Sequence, residues 1–292
     1  MTLTQRQEAS ALVVVAVFAW SFPGVFVRFM PHLSPVPLVA VRMAVACIAL
    51  APFAFFGASR ANTLRAIGSW KCWLLAACML IYYVVATPAF LFAPIGEVAL
   101  VIASAPLFAV LLRLMGRQPV TRNEVLGAGL AVSGVLLMSL HAPAHPHANL
   151  GPHWIGILLS VMAALAAAVY AIGNRHLVNQ NESPGAISQV WLSFCLGLLL
   201  IPSLFFLSTP PLFVPKMGWA ILLGAFSTAL PTVAVAATSH RIHPVAATMI
   251  NPLTAICATV VAALIVPEIP SPWALAGGAL VIAAVYIAMR RA

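Results

Sequence analysis

The 292-residue chain contains no aspartate, only five glutamates and two lysines, and charged residues of every kind make up 7% of it. Soluble domains carry about 25% charged residues. This chain therefore lacks the polar atoms to cover a water-facing surface, which excludes a soluble enzyme and a disordered segment. Cysteine is also sparse: Cys47, Cys72, Cys78, Cys195 and Cys257 are odd in number, lie in apolar segments and form no C-x-x-C pair. They frame neither a disulfide scaffold nor a zinc site. Phosphate-loop, H-E-x-x-H and G-x-S-x-G patterns are missing, so nucleotide-hydrolysing, zincin and serine-hydrolase chemistry lack their minimum parts. The formal charge of +9 comes from fourteen Lys and Arg separated by long apolar runs. Such residues read as topology signals, and no nucleic-acid partner is expected.

What the chain has instead is apolar sequence, 63% of it. A helix needs about 20 mostly apolar residues, rising about 1.5 Å each, to cross about 30 Å of hydrocarbon. Ten segments fit: Ala9–Phe29, Val36–Phe56, Lys71–Phe92, Val98–Met115, Glu124–Leu140, His153–Gly173, Ala186–Leu207, Met217–Ser239, Pro244–Val266 and Pro272–Met289. The first reads as a retained span rather than a signal peptide. With the N-terminus inside, eleven of the fourteen Lys and Arg fall on the inner face. Basic residues accumulate in cytoplasmic loops, so both termini are expected there. The expected fold is an all-α integral membrane protein embedded in a lipid bilayer.

Similar local patterns recur at a nearly constant offset. Pro37–Arg42 matches Pro184–Gln189 at 147 residues, Ser104–Leu107 matches Ile250–Leu253 at 146, and Gly127–Leu130 matches Gly277–Leu280 at 150. The chain divides into five-span units over residues 1–146 and 147–292. Five is odd, so the second unit enters the bilayer from the opposite side. Inverted repeats are a signature of transporters that rock around a midplane site, and symmetry within one chain removes the need for a dimer.

These residues resemble the EamA-type members of the drug/metabolite transporter superfamily. The resemblance rests on Ala19-Trp20-Ser21, Pro37–Arg42, Ala105-Pro106-Leu107, Gly127 and Gly134, and in the second unit on Trp154–Gly156, Asn251-Pro252-Leu253 and Gly277-Gly278. It implies ten helices from a duplicated five-helix unit, with a central cavity lined by the first, third, fourth, sixth, eighth and ninth. In pattern the chain is most similar to bacterial amino-acid exporters, particularly those handling aromatic amino acids. Where that family often has Gly-Glu after the fourth and ninth helices, this chain has Gly116-Arg117 and Pro267-Glu268. That departure argues against an ion-pair role at those places.

Polar residues within a span are costly and mark interior sites. Trp20, Tyr82, Tyr83, Ser104, Tyr170 and Asn251 are the candidate substrate-binding residues. Rings would stack on a side chain and attract an ammonium group, while Ser104 and Asn251 sit beside prolines that free backbone carbonyls. Tyr82 and Tyr83 are about 100° apart on a helix, so one of them, taken as Tyr82, would face the cavity. Each aromatic also fits ordinary packing or interfacial anchoring. Pro23, Pro106, Pro231 and Pro252 interrupt spans and are candidate hinges, with simple kinking as the plain alternative. Arg42 lies within the second span. Its long side chain is expected to snorkel outward, in a structural rather than substrate-binding role.

The glutamates Glu8, Glu97, Glu124, Glu182 and Glu268 all fall in tails, loops or helix ends. No buried carboxylate is expected for a coupling ion, which favours facilitated export. Glu97, at the outer start of the fourth helix, and His240 or His243, at the inner eighth-to-ninth turn, occupy corresponding places and are candidate gate or coupling residues, with solvated helix ends as the equal alternative. His141, His145, His147 and His153 read as a solvated outer loop, since no carboxylate or cysteine completes a metal shell; neither metal nor cofactor is expected. The leading function is export of neutral, aromatic or bulky apolar amino acids or related small metabolites across a bacterial inner membrane. Alternatives are a carrier of nucleotide sugars or drug-like cations, and a membrane-embedded lipid-modifying enzyme.

Overall fold

The computed structural model describes residues 3–30, 34–57, 59–117, 119–140, 152–206, 217–238, 244–266, 268 and 270–289. Among these there are helices and no strand. In chain order the helices are α1 (Leu3–Trp20), α2 (Pro23–Arg28), α3 (Pro35–Phe55), α4 (Ser59–Ile67), α5 (Trp70–Phe92), α6 (Ile95–Ala103), α7 (Ala105–Met115) and α8 (Arg122–Leu140). The second half holds α9 (His153–Asn179), α10 (Ala186–Gly197), α11 (Ser203–Phe206), α12 (Met217–Gly224), α13 (Leu230–Thr238), α14 (Pro244–Ile265) and α15 (Pro272–Met289). In hydrocarbon every backbone N–H and C=O must find a partner within the chain, and a helix provides this locally.

Among the described residues six helical segments are long and apolar enough to cross a membrane, and a bent pair brings the number to seven. They are Ser10–Arg28, Pro35–Phe55, Trp70–Phe92, His153–Asn179, Ala186–Phe206 and Met217–Ala237, with α6 and α7 as the pair. Ile250–Ile265 and Pro272–Ala288 are apolar but shorter. Large apolar side chains such as Ile48, Phe205, Phe206 and Leu264 stand exposed on the outside. Such surface is unsuited to water and suited to lipid tails.

Several spans are broken, each break tracing to a proline or a hydroxyl. α1 stops at Trp20, where Ser21 turns its N–H and its Oγ onto the Phe18 carbonyl, and the chain resumes at Pro23. α6 and α7 meet at 41°. Pro106 offers no N–H to the carbonyl of Ile102, and Ser104 Oγ donates to the Val101 carbonyl at 2.6 Å. Between α12 and α13, Ala225–Ala229 is π-helical, with Leu230 N–H reaching the Ala225 carbonyl five residues back. Pro52, Pro88 and Pro252 lie inside α3, α5 and α14.

Small residues set the closest approach between the halves. α8 packs along α15, and a Cβ placed on Gly134 would lie 2.7 Å from the Gly277 carbonyl oxygen, one on Gly127 2.7 Å from that of Ala284. Glycines of the two helices thus line this contact, as small residues do where membrane helices pack backbone to backbone. α5 packs along α9, and α1 against α13 and α14. α9 runs on to Asn179, six residues beyond the expected end of that span, because Ile172–Val178 keeps helical hydrogen bonding past the apolar run.

Candidate functional site

At one end of the bundle two polar side-chain pairs are buried. Arg28, at the end of α2, meets Glu268 at 2.9 Å, both side chains under a tenth exposed. The other Glu268 oxygen accepts the N–H of Ile95 at 2.9 Å, which satisfies an orphan donor in the first turn of α6 and places a negative charge at its positive end. Arg28 also donates to the carbonyls of Leu91 and Ala93 at 3.4 and 3.1 Å. Beside it, Glu97 Oε2 lies 2.6 Å from His153 Nε2. The remaining Glu97 Oε1 and His153 Nδ1 are enclosed without hydrogen-bond partners. Together these groups tie α2, α5, α6, α9 and the segment before α15.

Two expectations are corrected here. Glu97 and Glu268 are buried, 2% and 8% exposed, so helix-end position did not mean solvation. Glu268 also forms an ion pair despite its departure from the family pattern, because Arg28 is folded back onto the same end. The ion pairs at the other end, Lys71 with Glu182 and Arg113 with Glu124, are more open. There Thr121 and Glu124 cap each other, Glu124 N–H donating to Thr121 Oγ1 and Thr121 N–H to Glu124 Oε2, the reciprocal box that starts α8.

A cavity of 310 Å³ lies between α6, α14 and α15. Its walls are apolar, including Leu100, Ile256 and Leu275, with Glu97, Thr259 and Glu268 on its margin. It shares α6 and α14 with the expected central cavity, while α15 lies outside that set.

Arg42 corrects the snorkelling expectation. It is 5% exposed and turned inward from α3, its Nε donating to Thr228 Oγ1 at 2.8 Å and its Nη1 to Thr87 Oγ1 at 3.4 Å. Its guanidinium carbon stands 4.6 Å from the centre of the Tyr83 ring. The physical reason is local: the π-helical turn presents Thr228 to α3, and Gly224 lets α12 close on it, since a Cβ there would lie 2.8 Å from the Arg42 carbonyl oxygen. Hydrogen bonds donated by a charged group contribute about 1.5–3 kcal/mol each and a desolvated cation–π contact about 2. Burying a cation costs several kcal/mol, which these contacts offset without neutralising the charge.

The sequence-predicted residues occupy varied settings. Trp20 is half-buried at the end of α1, Tyr170 is half-buried on α9, and Asn251 is exposed on α14. Tyr82 is half-buried and touches Tyr83 edge to face, ring centres 5.0 Å apart, while buried Tyr83 packs towards Phe194 of α10. Ser104 is fully buried at the α6–α7 bend. Of these residues Tyr82 and Tyr83 are in ring contact with each other; Trp20, Tyr170 and Asn251 lie on three different helices and Ser104 between α6 and α7. Pro23, Pro231 and Pro252 are buried and Pro106 is exposed. His240 and His243, like His141, His145 and His147, lie outside the described residues. Among the described residues no group of three or more His, Cys, Asp or Glu comes together as a metal shell.

The model of the EamA-like transporter family matches residues 8–140 and again 154–290. The chain belongs to that family. Within this EamA-family chain both matched stretches are helical bundles, and membership makes it a transporter rather than an enzyme, which removes the lipid-modifying reading. A curated relative, the "Probable terminal-alkyne amino-acid exporter" of Streptantibioticus cattleyicolor, is 29% identical over 202 residues, 68% of this chain and 65% of that protein. The match thus spans just under two thirds of the relative's length. A solved crystal structure superposes with a TM-score of 0.62 at 18% identity, over 97% of this chain and 96% of the other, which speaks to the fold alone. Sequence reasoning passed over Thr87 and Thr228, and it read His153 as part of a solvated outer loop, whereas its side chain is 11% exposed at the start of α9 and pairs with Glu97. The signal available for the threonines was a hydroxyl shortly before a proline within a span, Thr87 directly before Pro88 and Thr228 three residues before Pro231.

Proposed function

We propose that the protein is a multi-pass exporter of the bacterial inner membrane that moves neutral amino acids with aromatic or bulky apolar side chains. In this reading ten helices cross the membrane, both termini are cytoplasmic, and residues 1–146 and 147–292 are inverted repeats. Substrate sits in a midplane cavity bounded by α1, α5, the α6–α7 pair, α9, the α12–α13 pair and α14. Trp20, Tyr82, Tyr170 and Asn251 supply its accessible surface, and Tyr83 and Ser104 back it. The family match over both halves carries the transport reading; the similarity to a named amino-acid exporter supports the substrate class.

The breaks support alternating access. Interrupted helices at corresponding places in two halves accompany moving parts in transporters, and here the α6–α7 bend at Pro106 corresponds to Pro252 within α14. Arg28–Glu268 and Glu97–His153 act as a latch that holds one end shut, Glu97 being its gating residue. Pro23 and Pro231 sit at the ends of the breaks in the first and eighth spans, where they would hinge. Purified protein in liposomes tests the proposal: labelled phenylalanine should enter faster than into empty vesicles and saturate. No saturable flux for any of the twenty amino acids would overturn it.

A further inference from the structure

The chain's carboxylates are accounted for, and none is left for Arg42. Glu97 faces His153, Glu124 faces Arg113, Glu182 faces Lys71 and Glu268 faces Arg28. Glu8 is exposed near the N-terminus, and the chain has no aspartate. An arginine side chain stays protonated in proteins, so Arg42 holds a full positive charge in a nearly sealed place, with only two threonine hydroxyls and a tyrosine ring around it. Among the described residues its third nitrogen, Nη2, shows no hydrogen-bond partner. The fork is held through two of its three nitrogens.

Fixing that fork uses unusual structure. Thr228 reaches Arg42 from a π-helical turn, a feature concentrated at functional sites. Its hydroxyl is itself oriented by donating to the Leu223 carbonyl at 2.7 Å. Thr87 comes from α5, directly before Pro88. Arg42 therefore bridges α3 to α5 and to the break between α12 and α13, two of the elements that bound the proposed cavity. Its surroundings are otherwise apolar: Met43, Cys47, Phe194 and Ala229 belong to the cluster that holds Tyr83.

We infer that Arg42 is an anion-binding residue that receives the carboxylate of a small organic acid with an apolar body. A planar guanidinium matches a carboxylate in two-pronged geometry, and the arriving charge is the one the chain does not supply. Combined with the transport reading above, on which this identification of the substrate rests, the ligand group is the α-carboxylate of the exported amino acid. Thr87, Thr228 and Tyr83 are then positioning residues.

The test measures thermal stabilisation of the purified full-length protein by three probes. L-Phenylalanine has both carboxylate and ammonium, phenylpyruvate only the carboxylate, and L-phenylalaninamide only the ammonium. The wild type should bind the first two and discriminate against the amide. Arg42→Gln should weaken the first two about 10- to 100-fold, as expected for a charged hydrogen-bonded pair, and abolish the discrimination. Should Arg42→Gln fail to fold, Thr228→Val, which leaves the charge but frees Nε, should weaken phenylpyruvate several-fold and the amide not at all. Phenylalanine binding to Arg42→Gln within twofold of wild type overturns the inference, as does a wild type that binds none of the carboxylates or prefers the amide. Undiminished phenylalanine flux through Arg42→Gln overturns it while leaving the transport reading intact. Arg42-dependent binding of phenylpyruvate without flux of any amino acid does the reverse.

Discussion

Replacing Glu268 by Gln tests whether the buried latch holds the fold as its geometry indicates. The wild-type carboxylate accepts from Arg28 at 2.9 Å and from the Ile95 N–H at 2.9 Å, with both side chains of the pair under a tenth exposed. Glutamine keeps an oxygen for one donor and turns an amide towards the other, leaving the Arg28 charge with only the Leu91 and Ala93 carbonyls. Breaking a buried pair from one side costs about 3–5 kcal/mol, and the surviving carbonyl contacts place the expected loss near the lower figure. The double variant Arg28→Met, Glu268→Gln removes both charges and should lose less than the two single losses summed, with a coupling of about 2 kcal/mol. Unfolding in mixed detergent micelles, followed by tryptophan fluorescence, reads all four proteins of the cycle. A single-variant loss below about 1 kcal/mol, or additivity within about 0.5 kcal/mol, would refute the reasoning.

Gly134→Leu should destabilise by at least about 1–3 kcal/mol, because its Cβ would press on the Gly277 carbonyl, whereas Gly129→Ala meets nothing and should stabilise by about 0.5–1 kcal/mol through helix propensity; the same unfolding assay compares them. Thr63→Val should cost about 1–3 kcal/mol, since the buried hydroxyl is bonded to the Ala54 carbonyl at 2.7 Å and to Ser188 Oγ at 2.9 Å; unchanged stability would remove α4 from the folding core. Trp20→Ala and Asn251→Ala should each lower phenylalanine flux at least severalfold while leaving the unfolding midpoint within the scatter of wild type, and wild-type flux in both would remove them from the cavity.

Much of this was legible in the sequence because scarcity of charge is a property of whole segments. Twenty apolar residues in a row have few solutions, so segments such as Pro35–Phe55 and Trp70–Phe92 appear nearly where expected. The glycines of the last span in each half, Gly134 and Gly277 among them, were legible as family-like positions, and these two lie at the closest approach of α8 and α15. What depends on a distant partner was hidden. Arg42 was expected outside because counting along α3 places it near a helix end. Its actual direction is set by Thr228, 186 residues away, on a π-helical turn that apolar periodicity does not encode. Glu97 and Glu268 looked solvated for the same reason: position along a helix says where a carboxylate starts, and the neighbouring helices decide whether water reaches it. The candidate substrate residues carried no such pairing signal, and a lone Trp or Tyr in a span serves packing as readily as a cavity.

The most direct measurement of the central claim is counterflow in proteoliposomes loaded with unlabelled phenylalanine and diluted into trace labelled phenylalanine. A carrier that alternates access accumulates label transiently inside, and the overshoot should vanish when the internal phenylalanine is omitted or replaced by phenylalaninamide. Equal, unsaturable entry of label with and without internal phenylalanine, matching that of protein-free vesicles, would contradict an amino-acid exporter.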